Sequence, residues 1–227
     1  MDKRNAIKVL YEDNHLLVVD KPVGVLVQGD ATGDEPLVEM AKRYIKIKYG
    51  KPGAVFLGVV HRLDRPVSGV VAFARTSKAL ARMNALFKNR EIKKTYWAIV
   101  GNRPPANSGR LLHWLVKDEK KNKVTAYPNE HPGGKRSELA YKTMARQGPY
   151  HLLEVDPVTG RGHQIRVQLA SMGCAIIGDV KYGSPAPNGD GGICLHAKML
   201  GFAHPVTKVP LGIEAAIPES GAWGMFC

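Results

Sequence analysis

The residues of this chain best placed to do chemistry lie in the stretch Val59-Val60-His61-Arg62-Leu63-Asp64-Arg65-Pro66-Val67-Ser68-Gly69. One carboxylate, Asp64, is held between two arginines, with a histidine three residues before it. Apolar, β-branched residues lead in, and Val70-Val71-Ala72-Phe73-Ala74 leads out, so strand-like segments flank a polar turn. Pro66 and the Ser68-Gly69 pair mark the connection as a loop. A loop tied at both ends to buried strands holds a side chain in one place. An ionised aspartate there is either one arm of a surface ion pair, worth little, or a nucleophile or base at a sugar carbon. No second carboxylate lies nearby in sequence, which argues against a two-carboxylate hydrolase.

A second cluster is Thr159-Gly160-Arg161-Gly162-His163-Gln164-Ile165-Arg166-Val167-Gln168. Gly160 and Gly162 allow tight backbone geometry, and Thr159 can cap the helix expected over His163–Met172. On such a helix His163 and Arg166 are three apart, and Gln164 and Gln168 four apart, so they form neighbouring polar faces. Ile165, Leu169 and Met172 supply the buried side. Two readings stay open: a capped helix with solvated polar residues, or a helix N-terminus that receives a phosphate with help from its arginines. Metal binding by His61, Asp64, His163 and His196 has only a His-x-x-Asp spacing behind it, without His-Glu-x-x-His or paired cysteines. Tyr96, in Lys93-Lys94-Thr95-Tyr96-Trp97, is either a core residue or an aromatic face for an exposed base on a strand amid lysines.

The elements that must position these groups follow from apolar spacing. Ile7–Tyr11 and His15–Asp20 read as two strands around an Asp13-Asn14 turn, and Lys21-Pro22-Val23-Gly24 breaks the second. Pro36–Tyr49 and Ser77–Lys88 have helical spacing, with Thr76 or Ser77 as a cap for the latter. Ile92–Val100 returns to strand character. Residues Asn102–Ser137 are rich in Pro, Gly, Lys and Asn and read as an irregular basic excursion, with short strand candidates at Leu111–Val116 and Lys123–Tyr127. Leu139–Arg146 and His151–Val155 read as strands paired across Gly148-Pro149, Ile176-Ile177 as a strand, and Cys194–His204 as a further buried segment. Many short strands with few helices, not in βαβ alternation, argue an α+β fold with a largely antiparallel sheet.

Charge narrows the partner. The 227 residues carry 33 Lys+Arg against 20 Asp+Glu, a net charge of +13. Between Arg75 and Arg146 there are 17 basic residues and 5 acidic ones, so nearly the whole excess falls in one third of the chain. That concentration points to nucleic acid more than to a merely solvated surface. Cys174, Cys194 and Cys227 show no metal spacing and suit a reducing compartment. Met1-Asp2-Lys3-Arg4-Asn5 opens no apolar leader, and no apolar run approaches the ~20 residues of a membrane span, so the expectation is a soluble, cytoplasmic protein.

Taken together these segments resemble the RluA-type pseudouridine synthase family (RluA/RsuA superfamily), over nearly the whole chain. His61 to Gly69 resembles the family's H-R-L-D-x-x-T/V-S-G, Lys94-Thr95-Tyr96 its K-x-Y strand, and Gly160 to Val167 its G-R-T-H-Q-I-R segment. Gly178-Asp179-x-x-Tyr182-Gly183 follows, then Leu195-His196-Ala197 and Phe202-x-His204-Pro205, which resemble L-H-A…F-x-H-P. The resemblance implies a central, mainly antiparallel mixed sheet split by a basic active-site cleft and flanked by a few helices. It also implies isomerisation of uridine to pseudouridine in RNA without metal or organic cofactor. Asp64 then matches the catalytic aspartate, acting by attack on the sugar carbon or by removing a ribose proton. Arg166 matches the basic residue that pairs with it, and Tyr96 the tyrosine that packs on the target base. Arg62 matches the residue that fills the space of the flipped base, and Leu195 an apolar wall. His61, Arg161, His163 and Gln164 complete the candidate RNA contacts.

Val67 and Gly162 stand where many members have threonine, and Gln168 where histidine is common, so local RNA contacts are expected to differ. The pattern begins almost at once, so residues 1–227 are read as a single catalytic domain without an N-terminal S4-like domain, acting as a monomer. Ribosomal RNA is the first substrate expectation and transfer RNA the second. The competing readings are a catalytically silent RNA-binding or chaperone module on the same fold, and a metal-dependent hydrolase.

Overall fold

The computed structural model describes residues 7–226. Met1–Asn5 and Cys227, which carried the leader and part of the cysteine reading, lie outside the described residues. The chain is α+β, with eleven strands, three α-helices and a large mixed sheet among the described residues. It divides into two compact units: residues up to Lys93 with Ala197–Ala216, and Lys94–His196 with the residues from Ile217. No helix among the described residues is long and apolar enough to cross a membrane.

In the first unit β1 (Lys8–Glu12) and β2 (Leu16–Lys21) form an antiparallel hairpin. Its turn is set by Asp13, whose Oδ1 accepts the amides of His15 and Leu16, each at 2.7 Å. β2 pairs antiparallel with β4 (Ser68–Ala74) from Leu16↔Ala74 to Lys21↔Gly69, and the two-residue β3 (Gly58–Val59) pairs with the end of β4. β4 is buried along its whole length, which explains its continuous apolar run in place of alternation. Helix α1 (Leu37–Lys48) turns Leu37, Met40, Ala41 and Ile45 inward. Helix α2 (Ser77–Lys88) starts at Thr76, whose hydroxyl accepts the Ala79 amide at 3.1 Å, and it packs Met83 against Leu16, Val18, Val70 and Ala72.

In the second unit β5 (Lys93–Val100), β6 (Ser108–Asp118), β7 (Lys123–Tyr127), β8 (Lys135–Gln147) and β9 (Tyr150–Pro157) lie in the order β5-β9-β8-β6-β7, every pair antiparallel. Helix α3 (Gln164–Ser171) lays Val167 against Leu115 of β6, Val124 of β7 and Tyr182. The last strands, β10 (Leu195–Ala203) and β11 (Pro210–Glu214), pair antiparallel from Met199↔Glu214 to Ala203↔Pro210, within the first unit's C-terminal segment.

Four sequence expectations change. The segment read as an irregular excursion is a regular hairpin of eleven- and five-residue strands, because its polar residues fall on positions supported by cross-strand pairing with β8. Ser68 and Gly69 belong to β4 and not to the loop. Ile176 makes only an isolated bridge with Val100. β11 escapes notice because it opens on proline and contains glycine, which only an edge position tolerates.

Candidate active site

His61, Arg62 and Asp64 belong to the first unit, in the loop between β3 and β4. Buried Leu63 and Val67 anchor this loop on either side of Asp64, and the Val67 amide closes a turn on the Asp64 carbonyl at 3.0 Å. From beneath, the turn is held by Lys21, the last residue of β2, which is 0% exposed. Its ammonium donates to the carbonyls of Arg65 (3.1 Å) and Pro22 (2.9 Å). Burial pushes the Lys21 pKa down to about 7, opposed by the Asp64 carboxylate and reinforced by the Arg65 guanidinium. Arg65, to which the sequence assigned no role, latches the loop outward: Nε donates to the Gly24 carbonyl at 2.9 Å and Nη2 meets Asp34 at 2.6 Å.

His61 continues the work of β3. The β3–β4 ladder ends at Val59↔Phe73, and the next β4 amide, that of Ala72, donates to His61 Nε2 at 3.0 Å. The imidazole also stacks on Phe87 of α2, with ring centroids 5.1 Å apart. A residue grouped with the RNA contacts is thus built into the loop's foundation. Arg62 is exposed. Gly69 explains why the loop must exit on glycine: its φ is +112°, and a Cβ there would sit 2.3 Å from the Ala197 carbonyl oxygen.

Tyr96, Arg161, His163, Gln164, Arg166 and Leu195 belong to the second unit. Tyr96 is half-buried on β5 opposite Val155, and its neighbour Thr95 ties the strand down through a 2.7 Å bond to Asp156. The Lys94 ammonium lies 3.5 Å from where a Cβ on Gly160 would be, so the Lys94-Thr95-Tyr96 strand and the Gly-Arg-Gly-His turn meet. Leu195 is buried at the start of β10.

The helix after that turn begins at Gln164, one residue later than expected. Neither Gly160 nor Gly162 adopts positive φ; His163 does, at +55°, and its Nδ1 lies 2.8 Å from the Tyr182 hydroxyl, which holds the ring in place. Thr159 does not cap the helix. Its hydroxyl donates to Gln164 Oε1 at 2.8 Å and accepts the Glu138 amide at 2.9 Å, fastening the turn to β8. Gln164, 3% exposed, completes the fastening through the Arg161 amide (3.0 Å) and the Glu138 carbonyl (3.0 Å). Arg161 itself is exposed. Gln168 is also interior: its Nε2 faces the carbonyls of Leu111 and Ser137, each at 3.2 Å, and His113 Nδ1 at 3.1 Å. The departure at 168 therefore falls inside the unit.

Arg166 is buried, and Asp179 grips it as a fork, Nε to Oδ2 at 2.7 Å and Nη2 to Oδ1 at 2.9 Å. The guanidinium lies over the Tyr182 ring, 5.1 Å from its centroid. Asp179 and Tyr182 lie in the Gly178-Asp179-x-x-Tyr182-Gly183 segment, where the sequence alone gives neither side chain a task. The signal available was a lone Asp between an isoleucine pair and a tyrosine, 13 residues beyond the arginine. Among the described residues no group of three or more His, Cys, Asp or Glu side chains is gathered to hold a metal.

Comparison with known proteins converges on one family. The RNA pseudouridylate synthase family model matches residues 15–171. The ribosomal large subunit pseudouridine synthase C of Vibrio vulnificus is 33% identical over 217 residues, covering 93% of this chain and 66% of that protein. The chain thus spans about two thirds of that relative's length. The tRNA pseudouridine synthase C of Vibrio cholerae is 31% identical over 231 residues, covering 94% of this chain and 92% of the relative. Among solved structures, human RNA pseudouridylate synthase domain containing 4 superposes with a TM-score of 0.77 at 23% identity, covering 93% of this chain and 88% of that one, a likeness of fold. With its loop carboxylate, its buried arginine and a family match over more than half its length, the chain belongs to the RNA pseudouridylate synthase family.

Proposed function

We propose that this chain is an RNA pseudouridine synthase that isomerises uridines in structured RNA. The observation that carries the reading is the setting of Asp64, a carboxylate on a turn anchored by Leu63 and Val67 and braced from beneath by fully buried Lys21. In the reaction the ribose C1′–N1 bond breaks, the base turns, and C5 bonds to the same carbon. The C5 proton leaves and N1 takes one up, so nothing is gained or lost. Asp64 acts ionised, by attack on C1′ or by removal of the neighbouring ribose proton. Tyr96 packs on the base and assists proton transfer at C5, and Arg166 is the cation that the family pattern pairs with the aspartate. A stacked uridine hides the carbon to be attacked, so the nucleotide must be flipped, and exposed Arg62 fills the space it leaves.

Relatives named as ribosomal large subunit enzymes favour ribosomal RNA, and the relative named as a tRNA enzyme keeps transfer RNA as the second substrate. The reading has the chain working as a monomer in the cytoplasm, with RNA capture resting on the basic stretch from Arg75 to Arg146. The test is tritium release from RNA carrying 5-tritiated uridine, with pseudouridines mapped in a deletion strain and its parent. Asp64→Asn is expected to abolish release while RNA binding survives with its steep salt dependence. Full activity in that variant, or no release from any cellular RNA by the wild-type chain, refutes the reading.

A further inference from the structure

The second unit buries an ion pair between Arg166 and Asp179. Asp179 is 1% exposed, and its carboxylate meets the Nε and Nη2 edge of Arg166 at 2.7 and 2.9 Å. A buried pair of this kind gives up so much hydration that apolar residues of the same volume commonly stabilise a fold as well or better. Stability alone therefore does not account for it, whereas the need for a cation held in one orientation does.

The carboxylate is itself rigidly mounted. It precedes a short 3₁₀ turn, Val180–Tyr182, and the amides of Tyr182 and Ser184 both donate to the Asp179 carbonyl at 3.0 Å. The Gly178 amide donates to Ser184 Oγ at 3.0 Å, and Gly178 has φ +86° with no room for a Cβ beside Asn188. The face of the guanidinium rests on Tyr182, whose hydroxyl accepts the Val124 amide at 2.9 Å. A side chain with four rotatable bonds is thus fixed by its edge and by its face. The Nε–Nη2 edge is committed to Asp179, and Nη1 points the other way.

We propose that Asp179 is a positioning residue for Arg166, fixing which edge of the guanidinium is offered to the uridine isomerisation. This rests on the proposed function, in which Arg166 belongs to the catalytic machinery. Asp179 touches neither the base nor the sugar; it acts through the arginine.

The test compares wild type with Asp179→Asn, which keeps the shape and removes the charge, and Asp179→Glu, which keeps the charge. Steady-state pseudouridine formation and the NMR signal and exchange rate of the Arg166 Nε–H are measured. Displacing a catalytic group by ~1 Å costs about 100-fold, so Asp179→Asn should lower kcat by about that factor and leave KM within about threefold. The Nε–H should exchange faster in Asp179→Asn, because its carboxylate acceptor is replaced by a neutral amide. Asp179→Glu should recover about tenfold of the loss. Unchanged kcat with an unchanged Nε–H signal overturns the inference. So does a kcat loss that merely tracks thermal stability while the Nε–H signal and exchange rate stay unchanged. Should Asp179→Asn not fold, Ser184→Ala loosens the same turn without removing a charge, and unchanged kcat there overturns the inference equally. A wild-type chain that isomerises no uridine, or an Arg166→Met variant with full activity, overturns the proposed function and this inference with it. An effect confined to Asp179 leaves the proposed function standing.

Discussion

Lys21 allows the energetics beneath the Asp64 loop to be worked out. Its ammonium is fully buried and bonded to two carbonyls, and its pKa is pushed down to about 7 from an ordinary value of 10.5. Between those two values the unfolded chain holds a proton that the folded chain has shed. Stability must therefore rise with pH across that window, by up to about 1.4 kcal/mol per pH unit. Below about pH 7 both states are protonated and the full cost of burying the charge applies; above about pH 10.5 both are neutral and it is gone. Replacement by methionine removes the titration and strands two carbonyls, each costing on the order of 1–3 kcal/mol. Urea unfolding followed by circular dichroism, for wild type and Lys21→Met at about pH 7 and about pH 9.5, isolates the effect. The wild type should gain about 3 kcal/mol on the variant between the two conditions. Parallel pH dependences would mean that the amine is not desolvated as the structure shows, and would refute the reasoning.

Two further outcomes follow from the first unit. Burial raises the Glu12 pKa, but bonds from Lys48 (2.7 Å), Tyr49 (2.7 Å) and Tyr44 (2.9 Å) bring it below its ordinary value. Its stabilising contribution is therefore present above the ordinary carboxylate pKa and lost as pH falls through the lowered one, so melting temperature against pH should be flatter in Glu12→Gln over that acid range. Gly69→Ala places a Cβ 2.3 Å from the Ala197 carbonyl oxygen at a φ of +112°, and should cost about 3 kcal/mol or more by urea unfolding. Gly162→Ala, which meets nothing within 4 Å, should stay within about 0.5 kcal/mol of wild type and serves as the control.

What could be read from the chain beforehand was whatever local pattern decides. β1, β2, α1, α2, β5, β8 and β9 were legible because their apolar spacing and turn residues act over a few neighbours. Thr76 was legible as a cap for the same reason. Ser68-Gly69 looked like a turn because the demand for glycine at 69 comes from the Ala197 backbone, far along the chain. Lys21 looked like the first residue of the break after the second strand; lysine is so seldom fully buried that only the fold reveals it. In the proposed site, Asp64 stood out by type and spacing, whereas the role of Arg166 came from the family resemblance. The tasks of Gln164, Thr159 and His61 did not stand out, because each is set by an amide or carbonyl on another element.

The two buried cations differ in how their charge is compensated, and this separates what pH can and cannot change in the chain. Arg166 faces a carboxylate in fork geometry, and a guanidinium keeps its proton throughout the range in which proteins stay folded. Its contribution is therefore constant near neutrality. Lys21 is bonded to two carbonyls, which solvate an ammonium without neutralising it, and its pKa of about 7 leaves it divided between two forms there. One of its bonded carbonyls, that of Arg65, lies in the Asp64 turn, and the Asp64 carboxylate is what favours the charged form. Loss of that proton weakens the donor that braces the loop while leaving Arg166 untouched. A lysine at 21 thus makes the brace responsive to pH near neutrality, whereas the arginine at 166 keeps its own charge.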